Sequence, residues 1–339
     1  MEKSLDRKIA SILADPAGSK EFIIADAKDA DMAFGLAAPG RAADGDRWKT
    51  LAEYREQIRA VVRQGLVDIM LCSASTIEQL AIKEQLFADS QVTPAARAND
   101  SSDIWAARGG RYPSAPSRPF RSATIDHIKY GRLDADHVRP FTGADLGLYS
   151  MTFTNNLERD HETLAEFKKF REEAERKKFR YFLEVFDPNV DAGLAPADVP
   201  AFVNDQIVRS LAGVTVSGRP LFLKMVYHGP RALEELAAYD PTLIVGILGG
   251  AAGTTYDAFK LIAEARQHGA RVALFGRKIN CAEDPLTFIE MLRRIVSGEL
   301  SPEEAVRAYH GALTVQKIRP LRPLAEDSQL TANSMSYGG

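Results

Sequence analysis

A single lysine interrupts an apolar run in the segment RPLFLKMV, where Lys224 lies between Leu223 and Met225. An amine among apolar side chains loses hydration, which disfavours the ammonium form and lowers its pKa. A lysine of this kind can attack a carbonyl carbon and form a Schiff base. The alternative is a lysine at a strand end whose amine simply reaches solvent. His228 follows in the turn after this run and is a candidate substrate contact.

Three further side chains have the chemistry that a Schiff-base lysine needs around it. Expulsion of water requires an acid, and breakage of a carbon–carbon bond requires a base for the hydroxyl proton. The candidates are Asp26 in EFIIADA, Glu184 in FRYFLEVF and Tyr149 in ADLGLYSMTF. Lys28 shares one side of its strand with Asp26, and could hold an anionic substrate group or repel the charge on the nucleophilic lysine. The alternatives are structural ion pairs for the two carboxylates and core packing for the tyrosine.

Glycine-rich loops follow two later runs, in ILGGAAGTT and LFGRKIN. Backbone N–H groups that no side chain shields can approach a phosphate closely, and an arginine can bind its oxygens through two parallel hydrogen bonds. The residues concerned are Gly249, Gly250, Gly253, Gly276 and Arg277, with Thr254 and Thr255 able to cap the helix after the first loop. The alternative is a pair of tight turns without a ligand. Two such loops together favour a phosphate site.

Eight short runs of mostly apolar, β-branched and aromatic residues must position these side chains. They occupy residues 21–27, 67–73, 91–97, 144–153, 179–186, 219–226, 241–248 and 270–276, and helical stretches such as 161–178 and 257–268 lie between them. Strands buried on both faces that alternate with helices are typical of a parallel sheet. Eight such units in about 300 residues predict an α/β fold, the (β/α)8 TIM barrel, whose active site lies at the carboxyl ends of the strands. The first strand is not followed by GxGxxG, which disfavours a dinucleotide-binding fold.

Residues 99–143 interrupt this alternation and are rich in Pro, Gly, Arg and Ser. A barrel loop of this length is more often a functional lid or a subunit contact than a plain connection. We therefore predict a single barrel domain over residues 1–312 that carries this insertion. Residues 313–339 are expected to form a C-terminal tail that is ordered only where it docks.

Composition argues against several classes of function. The formal net charge of −3 and the pI near 6.1 provide no basic surface for nucleic acid or an anionic membrane. The six histidines show neither HxH nor HExxH spacing, so we expect no metal. Cys72 and Cys281 match no paired-cysteine motif, and we interpret them as free thiols with a packing role in a reducing cytoplasm. The N-terminal residues contain no signal-type apolar core and no run of 18 or more apolar residues occurs, so we expect neither a signal peptide nor a membrane span.

These features resemble the class I (Schiff-base) aldolases of the superfamily that includes archaeal-type fructose-bisphosphate, tagatose-bisphosphate and deoxyribose-phosphate aldolases. The resemblance runs from about residue 20 to about residue 310 and is sharpest in FIIADAKD, RPLFLKMVYHGP, ILGGAAG and LFGRKIN. It implies that Lys224 forms the imine, that Asp26 and Glu184 are the acids of the first and fifth barrel strands, and that Tyr149 is the tyrosine of the fourth. It places the phosphate site at Gly249, Gly250, Gly276 and Arg277. The chain departs from the family in reading ADAKD where D-H-G is usual, and in its insertion.

The resemblance implies a metal-independent aldehyde-lyase that uses no cofactor and forms a cytoplasmic homo-oligomer. Its expected substrate is a phosphorylated ketose, which is cleaved into, or formed from, two smaller carbonyl compounds. Two alternatives remain open. One is a phosphosugar isomerase or epimerase that keeps the phosphate loops but forms no imine, and the other is a non-catalytic barrel that binds a phosphometabolite.

Overall fold

The computed structural model describes residues 1–42, 45–133, 140–250 and 253–331. Its strands are β1 Ile23–Lys28, β2 Ile69–Cys72, β3 Thr93–Arg97, β4 Asp100–Ser101, β5 Pro119–Phe120, β6 Leu146–Thr152, β7 Arg180–Phe186, β8 Leu223–Met225, β9 Gly246–Leu248 and β10 Val272–Phe275. Its helices are α1 Ser4–Ala14, α2 Asp31–Phe34, α3 Leu51–Gln64, α4 Ala74–Ile77, α5 Ile125–Tyr130, α6 Leu157–Arg176, α7 Val199–Ala212, α8 Pro230–Tyr239, α9 Thr255–Gln267, α10 Arg277–Asn280, α11 Pro285–Ser297, α12 Pro302–Val315 and α13 Leu324–Asp327.

Eight of these strands close into a parallel barrel in the order β1-β10-β9-β8-β7-β6-β3-β2. The short strands β4 and β5 form a separate antiparallel pair outside it. Seven of the barrel strands lie within a predicted run, and β1 extends one residue beyond its run, to Lys28. The predicted TIM barrel is therefore confirmed.

Alternate side chains of each barrel strand enter two different cores, as the pleat of a strand requires. The inward residues, such as Ala25, Leu71 and Leu148, form one cluster inside the barrel, which Leu5 and Ile12 of α1 close at the amino end. The residues between them pack outward against the helices. The inward positions at the carboxyl ends of the strands are therefore the ones that can reach a ligand in the barrel mouth.

Local chemistry fixes where the helices near the mouth begin and end. Helix α9 begins after a capping box in which Thr254 and Asp257 exchange hydrogen bonds, so the predicted cap at Thr254 is confirmed. It ends at Gln267, before Gly269, whose φ of +108° is accessible to glycine without strain. The capping box thus fixes the start of α9 at Thr255.

Two segments extend beyond the regular βα units. The insertion follows β3 and contains the β4–β5 pair and α5, with residues 134–139 outside the described part. At the carboxyl end, α12 continues past the predicted boundary at residue 312 to Val315. Beyond it, Asp327 accepts hydrogen bonds from the Thr255 backbone at 2.8 Å and pairs with His310 at 2.9 Å. The tail thus docks on the start of α9 as far as residue 331, and residues 332–339 lie outside the described part.

Candidate active site

Lys224 and Glu184 are register partners on the adjacent strands β8 and β7. Because partners in a parallel pair point to the same face, both side chains enter the barrel mouth. Lys224 Nζ lies 2.5 Å from Glu184 Oε1, and the two residues are only 8% and 1% exposed. The pairing of β7 with β8 therefore places the Glu184 carboxylate against the amine of Lys224, the predicted nucleophile. This agrees with the prediction that Glu184 is an acid or base close to that lysine.

A buried polar network holds Glu184 from its other side. Ser150 Oγ donates a hydrogen bond to Glu184 Oε2 at 2.6 Å and accepts one from Arg97 Nη1 at 3.1 Å. Arg97 Nη2 lies 3.7 Å from the same carboxylate, and Arg97 Nε donates to Asp29 Oδ2 at 2.5 Å. Burial opposes the charge on Arg97, but the attraction of Asp29 and Glu184 prevails and raises the pKa of its guanidinium. Each buried charge in this network has a partner of opposite sign.

A cavity of about 340 Å³ opens above this network. Its volume is in the range of small-molecule sites. Its charged lining residues are Asp29, Arg97, Asp103, Glu184, Lys224 and Arg277. Its apolar lining includes Phe34, Ile104, Ala106, Pro113, Phe186, Leu248 and Leu274. The cavity therefore combines the buried amine of Lys224 with a largely apolar wall.

The loops predicted to bind phosphate border the same cavity through Gly249, Gly250, Gly276 and Arg277. A Cβ on Gly249 would lie 2.1 Å from the Phe275 ring, so that position excludes a side chain, and the φ of +61° at Gly250 favours glycine there. The Arg277 guanidinium lies 5.3 Å from the centre of the Phe34 ring. These four residues form one side of the cavity, beside Lys224.

Asp26 and Lys28 require a correction. Both point to the same side of β1 as Ile24, as predicted, but this is the outer face, because Ala25 and Ala27 face the interior. Lys28 Nζ lies 3.5 Å from Asp26 Oδ2, and both side chains are fully buried behind the barrel wall. Burial raises the pKa of Asp26 to about 6, against the attraction of Lys28. The structure does not bring either residue to the cavity that contains Lys224.

Tyr149 and His228 are also placed away from the cavity. Tyr149 is a neighbour of the inward-facing Leu148, so its ring points outward and stacks on Phe170 of α6 with ring centres 4.4 Å apart. Burial raises the pKa of Tyr149 above its ordinary value, as expected for a core phenol. His228 is buried, and its Nε2 pairs with Asp187 at 2.8 Å. Neither the catalytic role predicted for Tyr149 nor the substrate contact predicted for His228 fits these positions.

Sequence reasoning missed Asp29, Arg97 and the insertion residues that line the cavity. The alternation of residues along their strands could have identified Asp29 and Arg97. Asp29 continues the inward alternation of Ala25 and Ala27, and Arg97 continues that of Ala95 at the end of β3. The insertion carries no periodic pattern, so its contribution could not be read from the chain.

The part of the chain that the structure describes contains no cluster of three or more His, Cys, Asp or Glu side chains suited to a metal ion. Across the same residues, every helix is too short or too polar to cross a bilayer.

Solved structures with the same fold include Schiff-base aldolases. An archaeal fructose-1,6-bisphosphate aldolase aligns with a TM-score of 0.59 and 15% identity, over 86% of this chain and 99% of the other. A Schiff-base-forming fructose-1,6-bisphosphate aldolase aligns with a TM-score of 0.60 and 16% identity, over 85% and 99%. A protein of Corynebacterium glutamicum aligns with a TM-score of 0.52 and 16% identity, over 88% and 94%. No protein-family model and no curated protein sequence matches the chain.

The predicted structural resemblance to Schiff-base aldolases is therefore confirmed. At this level of identity the likeness establishes a shared barrel fold, whereas the chemistry depends on the residues in the barrel mouth.

Proposed function

We propose that this protein is a class I aldolase in which Lys224 forms a Schiff base with a phosphorylated ketose. The observation that supports this most directly is the 2.5 Å contact between Lys224 Nζ and Glu184 Oε1 in the wall of the cavity. The amine must lose a proton before it attacks a carbonyl carbon, and a carboxylate at this distance can accept that proton. Arg277, which borders the same cavity beside Gly250 and Gly276, offers donors for a phosphate, whereas the Gly249 N–H already donates to Leu274 O at 2.7 Å.

In the proposed reaction Glu184 accepts and donates protons in several successive steps. It accepts a proton from the Lys224 ammonium, and the free amine adds to the ketone to give a carbinolamine. Glu184 then gives a proton to the carbinolamine hydroxyl, which leaves as water and yields the iminium ion. As a carboxylate again, it removes the proton of the hydroxyl on the departing carbon. The electrons of the breaking carbon–carbon bond flow into the iminium, an aldehyde leaves, and protonation and hydrolysis of the enamine return the amine.

Ser150 and Arg97 have a positioning role in this scheme. Their contacts to the Oε2 side of Glu184 leave Oε1 directed at the amine. A fixed carboxylate can move a proton without first reorganising its surroundings. Asp29 completes the arrangement by balancing the charge on Arg97.

Reductive trapping tests the proposal. The protein is incubated with a panel of ketose phosphates and sodium borohydride, and intact mass and peptide mapping locate the adduct. We expect a stable adduct on Lys224 that is lost in Lys224→Arg. It should persist in Lys169→Arg, which replaces a lysine on the exposed face of α6 that is 71% exposed.

A second variant tests the proton carrier. Glu184→Gln keeps the shape of the side chain but cannot accept a proton, so the trapping rate should fall by about a hundredfold or more. Absence of an adduct with every ketose phosphate would contradict the proposal and favour a barrel enzyme that forms no imine. If Glu184→Gln forms the adduct at the wild-type rate, Glu184 is not the proton carrier.

The two thiols support the reducing, cytoplasmic location that forms part of the proposal. Both cysteines are free, with Cys72 buried and Cys281 exposed. The packing role interpreted from the sequence therefore holds for Cys72 and does not hold for Cys281. The homo-oligomer remains part of the proposal, and sedimentation of the purified protein tests it.

A further inference from the structure

We infer that the substrate carries its anionic group at one end only, and that the half which leaves as the aldehyde is uncharged. This inference rests on the proposed aldolase function and names the class of substrate. It comes from the residues that the insertion adds to the cavity, which lie across the mouth from the phosphate loops.

The order of the strands gives the geometry. In the ring β1-β10-β9-β8-β7-β6-β3-β2, β6 lies opposite β10 and β3 lies opposite β9. Lys224 is on β8, so it lies between the two sides. A ketose whose phosphate is held after β9 and β10 therefore extends its other end toward β3, β6 and the insertion.

The insertion is fixed on that opposite side by side-chain hydrogen bonds. Thr152, the last residue of β6, donates to Asp103 Oδ2 at 2.7 Å, and Ser117 donates to Asp103 Oδ1 at 2.8 Å. Asn189, which follows β7, donates to the backbone oxygen of Pro113 at 3.0 Å. The insertion residues that line the cavity, Asp103, Ile104, Ala106 and Pro113, are therefore held in place and form one wall of the cavity.

Among the insertion residues that the structure describes, those lining the cavity are apolar apart from one carboxylate. The insertion contributes Ile104, Ala106 and Pro113 to the cavity, together with Asp103. A distal phosphate would be placed against an aliphatic surface and a negative charge, which disfavours it through both lost hydration and repulsion. A hydroxyl or a short alkyl group would meet neither obstacle.

The charges of the described cavity residues show the same asymmetry. Lys224 pairs with Glu184, and Arg97 pairs with Asp29. The two charged lining residues outside these ion pairs are Arg277, on the β10 side, and Asp103, on the insertion side. A substrate with one anionic end and one neutral end matches this arrangement, whereas a bisphosphate places one of its charges at Asp103.

The experiment compares matched substrates on the full-length protein. Borohydride trapping is measured against concentration for the four 2-ketohexose 1-phosphates and the corresponding 1,6-bisphosphates. We expect half-maximal trapping at a concentration lower by about tenfold or more for a monophosphate than for its bisphosphate. Equal or tighter trapping of the bisphosphates would overturn the inference while supporting the aldolase. Absence of any adduct would overturn the aldolase function and the inference with it.

Two variants test the wall itself. Ile104→Arg adds a cation to it. Asp103→Asn removes the carboxylate charge, and its amide can still accept from one of the Thr152 and Ser117 hydroxyls and donate to the other. Each variant should lower the half-maximal trapping concentration of the bisphosphate, relative to that of the monophosphate, by about tenfold. The matched control is Leu133→Arg, which adds the same charge at an insertion residue that is 53% exposed and does not line the cavity. An equal shift in Leu133→Arg, or no shift in either wall variant, would show that this wall does not select against a second phosphate.

Discussion

Asp26 and Asp29 lie three residues apart along the same edge of the barrel and face opposite sides of its wall. Asp29 accepts a hydrogen bond from Arg97 Nε at 2.5 Å and lines the cavity that contains Lys224. Asp26 lies on the outer face, 3.5 Å from Lys28 Nζ. Although both carboxyl groups are buried, only Asp29 can influence a substrate in the mouth.

This relationship gives a first prediction, which compares Asp29→Asn with Asp26→Asn. Asp29→Asn removes the charge that balances Arg97, so we expect the Schiff-base trapping rate to fall by about tenfold or more. Asp26→Asn should leave that rate within about threefold of the wild type, because its side chain does not reach the cavity. Thermal denaturation of both variants checks that each is folded at the temperature of the assay. A larger loss in Asp26→Asn than in Asp29→Asn would mean that the strand-1 acid had been assigned to the wrong face.

A second prediction concerns the pH dependence of stability. Burial raises the pKa of Asp26 to about 6 from an ordinary value of 3.8, despite Lys28 beside it and with Asp29 adding to the rise. The folded protein therefore binds a proton between about pH 4 and pH 6 that the unfolded chain releases. The contribution of Asp26 to stability is fully present below about pH 4 and is lost as the pH rises through about 6. The loss amounts to at most about 3 kcal/mol.

Urea unfolding of the wild type and of Asp26→Asn from pH 4 to pH 7 measures this contribution. Other carboxyl groups titrate in both proteins, so the quantity to follow is the difference between their free energies of unfolding. The wild type should become less stable relative to Asp26→Asn as the pH increases. A constant difference over the whole range would show that Asp26 ionises normally despite its burial.

The positions of the strands could be predicted from the sequence more securely than which side chains of each strand point into the barrel. Runs such as FRYFLEVF are apolar on both sides, because a barrel strand is buried both by the interior and by the helices. The alternation in β1 correctly grouped Asp26 with Ile24 but could not tell which side was inward. The same ambiguity placed Tyr149 in the site, whereas Phe167 and Phe170 of the next helix enclose it.

Glu184, Lys224 and the glycine loops were found because their chemistry and their position at strand ends agree. The contribution of Ile104 and Pro113 could not be predicted in the same way. It depends on tertiary hydrogen bonds, such as that between Thr152 and Asp103, which join segments far apart in sequence. No local pattern encodes the place where such a loop returns to the barrel.

A third prediction tests the energetic role of Arg97, which is 6% exposed and contacts Asp29, Ser150 and Glu184. Arg97→Met removes the cation and leaves Asp29 buried without its partner, so the free energy of unfolding should fall by about 3–5 kcal/mol. The matched control is Arg7→Met, which breaks an exposed pair with Glu21 and should cost about 1 kcal/mol or less. Urea unfolding at pH 7 measures both. Similar losses in the two variants would mean that the buried network contributes no more than a surface ion pair.

A fourth prediction tests the close packing behind the glycine loops that are proposed to bind phosphate. A Cβ at Gly249 would lie 2.1 Å from the Phe275 ring, and the Gly249 N–H donates to Leu274 O at 2.7 Å, which ties the start of the loop to β10. Gly249→Ala should therefore displace the loop, lower stability by about 1–3 kcal/mol and weaken binding of inorganic phosphate. Gly213→Ala is the matched control, because a Cβ there meets nothing within 4 Å and the backbone φ is −90°. Thermal shift with increasing phosphate reads out both effects, and phosphate stabilisation that is equal in the wild type, Gly249→Ala and Gly213→Ala would place the anion away from this loop.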